Sequence, residues 1–304
     1  MAFDSVTPAD AGRRELRIGL LCAAFLLIIW SAFILMSRIG VRSSFPPADL
    51  LALRAGVGGI IMLPWLARGG FAGLPLGKVL LLSITAGIGF GAFSYAAFLF
   101  APVAHASALQ TATLPLNTAL LAVVVLRERF SRGKQVGLFL IVTGVALMGY
   151  ESLSAGEPGQ WRGDVLFYLA SFDWAIYSVF AQRWGVTAQQ ALGFVYPVAA
   201  IIYLPIYFLF FEPQLFHAPP GELAVQVILQ GVLANVLSLF AFTRVVQAFG
   251  ASSTAMLTAA APLLVTLSAI PLLHEVPTAL GWAGLACVIG GIVATITVLE
   301  TRRA

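Results

Sequence analysis

Of 304 residues, 60% are hydrophobic and 10% charged, against about a quarter charged in an ordinary soluble domain. No soluble fold of this size buries so much apolar side chain, so lipid must solvate most of the chain. The net charge of +4 does not point to nucleic acid, because the basic residues sit in clusters between apolar runs, where a membrane protein places them.

The N-terminal Arg13, Arg14 and Arg17 precede an apolar run too long for a signal-peptide core and lacking a small-residue cleavage site, which reads as a retained span. Runs long enough to cross a hydrocarbon core of ~30 Å fall near 18–37, 48–67, 78–99, 105–126, 134–150, 163–183, 191–210, 222–245, 252–273 and 279–298, ten in all. The fifth is the shortest. Cys22 and Cys287 both lie inside apolar runs, which argues for core packing and against a disulfide framework.

The chain repeats itself. Residues 104–150 slide by 147 positions onto 251–297 without a gap, bringing Pro115 onto Pro262 and Glu128 onto Glu275. Gly137 and Gly144 fall on Gly284 and Gly291, and Ala104, Ala108, Thr111, Leu120 and Leu138 meet identical residues. That offset maps spans four and five onto nine and ten, so each half has five spans. Five is odd, so the second copy enters the membrane inverted. Loop charge gives an independent test of that inference. With the N-terminus inside, thirteen basic residues face inward and four (Arg38, Arg42, Arg54 and Arg162) outward. The basic loop Arg127–Lys134 has as its duplicate His274–Gly281, from which the basic residues are gone.

The expected organisation is an all-α membrane protein of ten transmembrane helices in two inverted five-helix repeats, 18–150 and 163–298. A tail at 1–17, a connector at 151–162 on the outer side and a tail at 299–304 complete it, with both termini cytoplasmic. Paired glycines such as Gly87, Gly89 and Gly91 are expected to let helices approach closely. The Gly87–Gly91 run lacks the preceding strand and following acid of a nucleotide fingerprint.

With the two repeats, Trp30 late in span one, Arg54 early in span two, and the proline-then-Glu pattern of Pro115/Glu128 and Pro262/Glu275, the chain resembles the EamA-type transporters of the drug/metabolite transporter superfamily. The resemblance covers about residues 18–298. It implies a bacterial inner-membrane carrier, in most characterised relatives an exporter of amino acids, related metabolites or drugs. It also implies a central cavity near the fourth and ninth spans, with the fifth and tenth peripheral and open to homodimer packing.

Inverted repeats place a binding site near the bilayer midplane between the halves. Asp173 lies midway along its span, where a carboxylate is a functional hypothesis by default. It could bind a substrate amine, carry a coupling proton, or make a structural hydrogen bond. Trp174 and Tyr177 are its neighbours on the helix, and Trp30 is the approximate counterpart of Trp174. The two indoles could wall a cavity for an aromatic or cationic substrate or simply pack. Tyr95 in span three has Phe242 as its partner. Gln110, Thr113 and Asn117 share one face of span four, whereas their partners are Leu257, Ala260 and Leu264. A polar stripe in one half only points to an asymmetric cavity, although a residue near Pro115 could instead satisfy the carbonyl that the proline frees. Asn235 and Ser238 in span eight are weaker candidates.

Glu128 and Glu275, at span ends disfavoured by the helix dipole, are expected to find a partner such as Arg127, a loop amide or another helix's N-terminus, closing the two gates. Arg54 either anchors a substrate carboxylate or snorkels to the outer surface. His105 reads as interfacial.

No metalloprotease, nucleophile-elbow, P-loop or Cys/His metal pattern is present, so no enzyme activity, cofactor or metal is expected and transport is passive or gradient-driven. The reading is a secondary or facilitative exporter of a small metabolite, an amino acid or related compound or else a drug-like aromatic cation, working by alternating access. Its rivals are a nucleotide-sugar carrier, a lipid-modifying membrane enzyme and a non-transporting partner subunit.

Overall fold

The computed structural model describes residues 8–40, 45–101, 106–111, 113–153, 159, 161–258, 260–261, 264, 267–268 and 279–301. Among these residues ten helices longer than a single turn follow in order: α1 (Pro8–Gly40), α2 (Pro47–Gly69), α3 (Leu76–Ala97), α4 (Leu114–Leu126), α5 (Arg132–Leu153), α6 (Trp161–Arg183), α7 (Ala188–Phe210), α8 (Pro220–Phe249), α9 (Ala251–Thr258) and α10 (Ala279–Thr301). Seven apolar helical stretches are long enough to cross a membrane, and no strand occurs among the described residues. The protein is an all-α, multi-pass membrane protein.

Helix punctuation follows the prolines and the repeat. α1 begins at Pro8, earlier than the apolar run, since proline fits a first helical turn where its missing N–H is no loss. α4 restarts at Leu114 with Pro115 in its first turn, after a π-helical turn at Ala106–Thr111. It ends on Arg127, whose left-handed φ of 53° turns the chain and sends its N–H to the Ala122 carbonyl.

α3 is π-helical over Ser83–Gly89 and α8 over Val227–Leu237. Shifted by 147 residues, the first segment becomes Gln230–Val236, inside the second. Both copies therefore widen the same helix at the same depth, a distortion found most often at functional positions.

Packing obeys the duplication. α2 lies along α7, and α5 along α10. α1 packs on α8 as its counterpart α6 packs on α3. α5 and α10 meet at the duplicated glycines, Gly144 against the Gly284 carbonyl and Gly291 against the Gly137 carbonyl. A Cβ on Gly291 would lie 2.6 Å from that oxygen, so no other residue permits this backbone approach.

The end of the bundle carrying the α4–α5 loop is tied shut. Glu128 pairs with Lys134 at 2.5 Å and accepts a hydrogen bond from Ser252 Oγ at 2.7 Å, joining α4 to the start of α9. The Ala251 amide donates to Gln182 of α6 at 2.5 Å, and Arg183 donates to the Val125 carbonyl of α4. Glu128 thus finds its partner at another helix's N-terminus. Pro262, Glu275 and His105 lie outside the described residues.

Candidate central cavity

A cavity of about 500 Å³ of atom-free space, counting the part that opens to solvent, sits where the halves meet. Its walls are Trp30 and Phe33 of α1, Arg54 of α2, Phe90 of α3, Gln110, Thr111 and Leu114 of span four, Ser171 and Trp174 of α6, and Ala234 of α8.

The indoles of Trp30 and Trp174 meet edge-on with centroids 6.1 Å apart, so the repeat counterparts face each other across the centre. Phe90 lies 4.8 Å from Trp174, and Phe242 stacks on Trp30 at 5.8 Å. Such tilted and stacked pairs hold rings rigid beyond what burial alone provides. Trp30 Nε1 donates to Ser238 Oγ of α8 at 2.7 Å. The residue equivalent to Ser238 in α3 is Gly91, which has no hydroxyl, and Trp174 Nε1 is left buried without a partner.

Arg54 does not snorkel. It is 2% exposed and lies deep in the bundle. Its Nη1 donates to the Ala234 carbonyl of the α8 π-segment at 3.4 Å, and its guanidinium stands 5.4 Å from the Phe90 ring centre. The hydroxyls of Tyr95 and Tyr196 lie near the guanidinium and donate elsewhere, Tyr95 to Gln230 Oε1 at 2.8 Å and Tyr196 to the Asn235 carbonyl at 3.4 Å. Arg54 Nε has no partner, and no carboxylate pairs with Arg54 among the described residues. A buried charge is costly unless paired, so this wall of the cavity is electropositive.

The span-four stripe is split between cavity and scaffold. Gln110 lines the space, with its Oε1 accepting from Ser94 of α3 at 3.1 Å. Thr113 and Asn117 instead bond Ser171 Oγ of α6, at 2.9 Å and 3.2 Å, and do not line the cavity. Thr113 also donates to the Leu109 carbonyl at 2.6 Å, the back-bond to the residue four before it that Thr commonly makes.

Three other sequence candidates lie away from the walls. Asp173 is turned from the cavity by the helical rotation that points Ser171 and Trp174 into it. Its carboxylate lies against Gly89 of α3, near the Phe90 amide, with Oδ2 unpartnered. Tyr177 is fully buried, its hydroxyl 2.8 Å from Thr243 Oγ1. Tyr95 bonds Gln230 Oε1 at 2.8 Å and stands behind the wall, near Arg54 and with its ring centroid 6.3 Å from that of Phe33. Ser171, Phe33 and Phe90 are wall residues that sequence reasoning missed; a serine three residues before Trp174 on one helix face was the available signal for the first.

A duplicated, inverted helical bundle closed at one end around a central, largely apolar cavity with a few hydrogen-bonding groups is the architecture of a membrane transporter. Comparison with known proteins names the family: the EamA-like transporter family matches residues 17–150 and 161–297, and the chain belongs to it. An uncharacterized transporter in the sor 3'region of Acidianus ambivalens is 29% identical over 134 residues, 44% of this chain and 49% of that protein. The uncharacterized transporter YetK of Bacillus subtilis (strain 168) is 26% identical over 196 residues, 62% of this chain and 59% of that one. The matched stretches span about half to three fifths of these curated relatives. One solved crystal structure shares the fold with a TM-score of 0.71 at 22% identity, covering 93% of this chain and 98% of that one.

Proposed function

We propose that this transporter exports a small metabolite of the amino-acid type from the cytoplasm by alternating access, in the inner membrane of a bacterium with both termini cytoplasmic. The observation that carries the reading is the cavity at the meeting of the halves, with counterpart indoles on opposing helices, a buried guanidinium and hydrogen-bonding Gln110 and Ser171. The excess of basic residues on the α4–α5 loop side supports the orientation. In that frame the Glu128–Ser252 and Gln182–Ala251 bonds hold the cytoplasmic gate shut, and they must break for substrate to enter.

Counterflow in liposomes, with a panel of labelled amino acids, tests this. Trp174→Ala should lower kcat/KM about tenfold or more, since a large cavity-wall ring typically contributes above 1 kcal/mol to binding. A folded Trp174→Ala protein that transports like the parent would remove the cavity from the mechanism.

Proton coupling, in this reading, runs through Asp173, whose free oxygen sits behind the Phe90–Trp174 wall. If Asp173→Asn keeps both the rate and its pH dependence, no coupling proton travels there.

A further inference from the structure

Polar atoms left without partners at a cavity wall record what the wall expects to meet. Among the residues lining the cavity, two buried side-chain atoms lack a partner: Arg54 Nε and Trp174 Nε1. Both can only donate. The other unpartnered atoms, the acceptors Asn117 Oδ1, Asn235 Oδ1, Asp173 Oδ2 and Gln226 Oε1 and the hydroxyls of Ser83 and Thr118, all belong to residues outside the lining. No acidic residue lines the space either. Arg54 is 2% and Trp174 3% exposed, so bulk water does not take the place of the missing acceptors.

From this we infer that the cavity binds a carboxylate anion bearing an aromatic or large apolar group, and that it makes no demand for an ammonium. The carboxylate accepts from Arg54 and Trp174 Nε1, and the ring or chain rests among Trp30, Phe33 and Phe90. A cation in the same place would face the guanidinium across an apolar wall, where like charges repel strongly. An amino acid is then bound through its carboxylate alone, and its deaminated analogue binds at least as well. Arg54 has no counterpart in α7, which contains no charged residue from Ala188 to Phe210, so the anion has one docking wall. The inference rests on the central cavity being the transport site.

Binding to the purified full-length protein, by thermal shift and by competition for uptake into liposomes, is compared for four probes: 3-phenylpropanoate, phenylalanine, 3-phenylpropanamide and phenethylamine. The acid is expected to match or surpass phenylalanine. The amide and amine should bind about thirtyfold more weakly or worse, as when one partner of a buried charged hydrogen bond is removed. Arg54→Gln should erase the difference between acid and amide. Because Arg54 also ties α2 to α8, Trp174→Phe serves as a gentler variant and should weaken the acid several-fold while leaving the amine unchanged.

Amine or amide equal to the acid overturns the anion site while leaving the cavity in place. Acid binding that neither variant alters overturns both the anion site and the cavity reading. No binding of the acid at millimolar concentration also overturns the anion site.

Discussion

The two duplicated helix pairs have fared differently since the copies parted. α5 and α10 keep their glycines in register, and these meet crosswise, Gly144 on Gly284 and Gly291 on Gly137. The neighbouring fourth and ninth spans keep the proline but not the polar face: Gln110, Thr113 and Asn117 on one stand against Leu257, Ala260 and Leu264 on the other. The first pair has one task, to hold two backbones together in lipid, where small residues and van der Waals contact replace the hydrophobic effect. Both copies face the same constraint, so both retain it. In the second pair span four lines the central cavity, with Gln110, Thr111 and Leu114, and no described residue of span nine does. In these two pairs symmetry is kept where backbones meet, and it is lost where span four lines the cavity and braces against α6.

The largest effect should come from breaking the symmetric pair. Gly144→Leu puts a side chain where even a Cβ would stand 2.9 Å from both Cys287 Cβ and the Val288 amide. Overpacking a close contact costs about 1–3 kcal/mol or more, and here the colliding atoms include backbone that has nowhere to go. Expression should fall, and the surviving protein should melt well below the parent in fluorescence-detected size exclusion. Gly77, at which a Cβ would meet nothing within 4 Å, is the control: Gly77→Leu should be tolerated. A stable Gly144→Leu protein would mean that the α5–α10 pair does not carry the bundle.

Much of this division could be read in the sequence. Ten apolar runs, a gap-free repeat and an odd number of spans per half yield the inverted bundle, because hydrocarbon admits few ways of satisfying a backbone. The indole pair was legible for the same reason: its members are repeat counterparts, so the pseudo-two-fold brings them together. Asp173 drew attention because charge at membrane depth is rare, yet rarity carries no direction. The 100° rotation per residue that separates it from Trp174 turns it toward Gly89. Arg54 was ambiguous because distance along a helix does not tell which neighbours cover it. The α8 π-segment, which presents the Ala234 carbonyl to it, carries Gln230, Gly231 and Asn235 among apolar residues, a composition that does not announce a π-helix. The unpaired Trp174 N–H needed both copies to be seen, since it arises where Gly91 stands in place of a serine.

A smaller, sharper effect should follow from restoring symmetry at the site. Gln110→Leu gives span four the residue that span nine has at the equivalent position. It removes the acceptor for Ser94 Oγ but leaves the Thr113–Ser171–Asn117 bonds that tie α4 to α6. One such hydrogen bond contributes about 1 kcal/mol to stability, so the melting temperature should move by a few degrees at most. Transport should fall by about tenfold in kcat/KM. Thr113→Ala should show the opposite balance, with stability lowered and transport less affected, because its hydroxyl braces α4 against α6 without lining the cavity. If both variants lose transport and stability in equal proportion, the stripe cannot be divided into a wall and a brace.

The smallest effect concerns the closed end. Glu128 holds Lys134 and Ser252 at once, with its side chain 27% exposed and that of Lys134 13%. Water screens the ion pair in part, which places its worth near the 0.2–1 kcal/mol of exposed pairs. Glu128→Gln loses the charge but keeps an oxygen for Ser252 Oγ, whereas Glu128→Ala loses both. The two should therefore open the gate to different degrees. Buried Ser253, next to the latch, reports opening when replaced by Cys in a background where Cys22 and Cys287 have been removed. A soluble maleimide applied from the basic-loop side should label it a few-fold faster in Glu128→Gln, and faster again in Glu128→Ala. Equal labelling of parent and both variants would assign closure to the Gln182–Ala251 bond and to Arg183 on the Val125 carbonyl. The ladder of rates thus separates a latch made of charge from one made of hydrogen bonds that any polar side chain could supply.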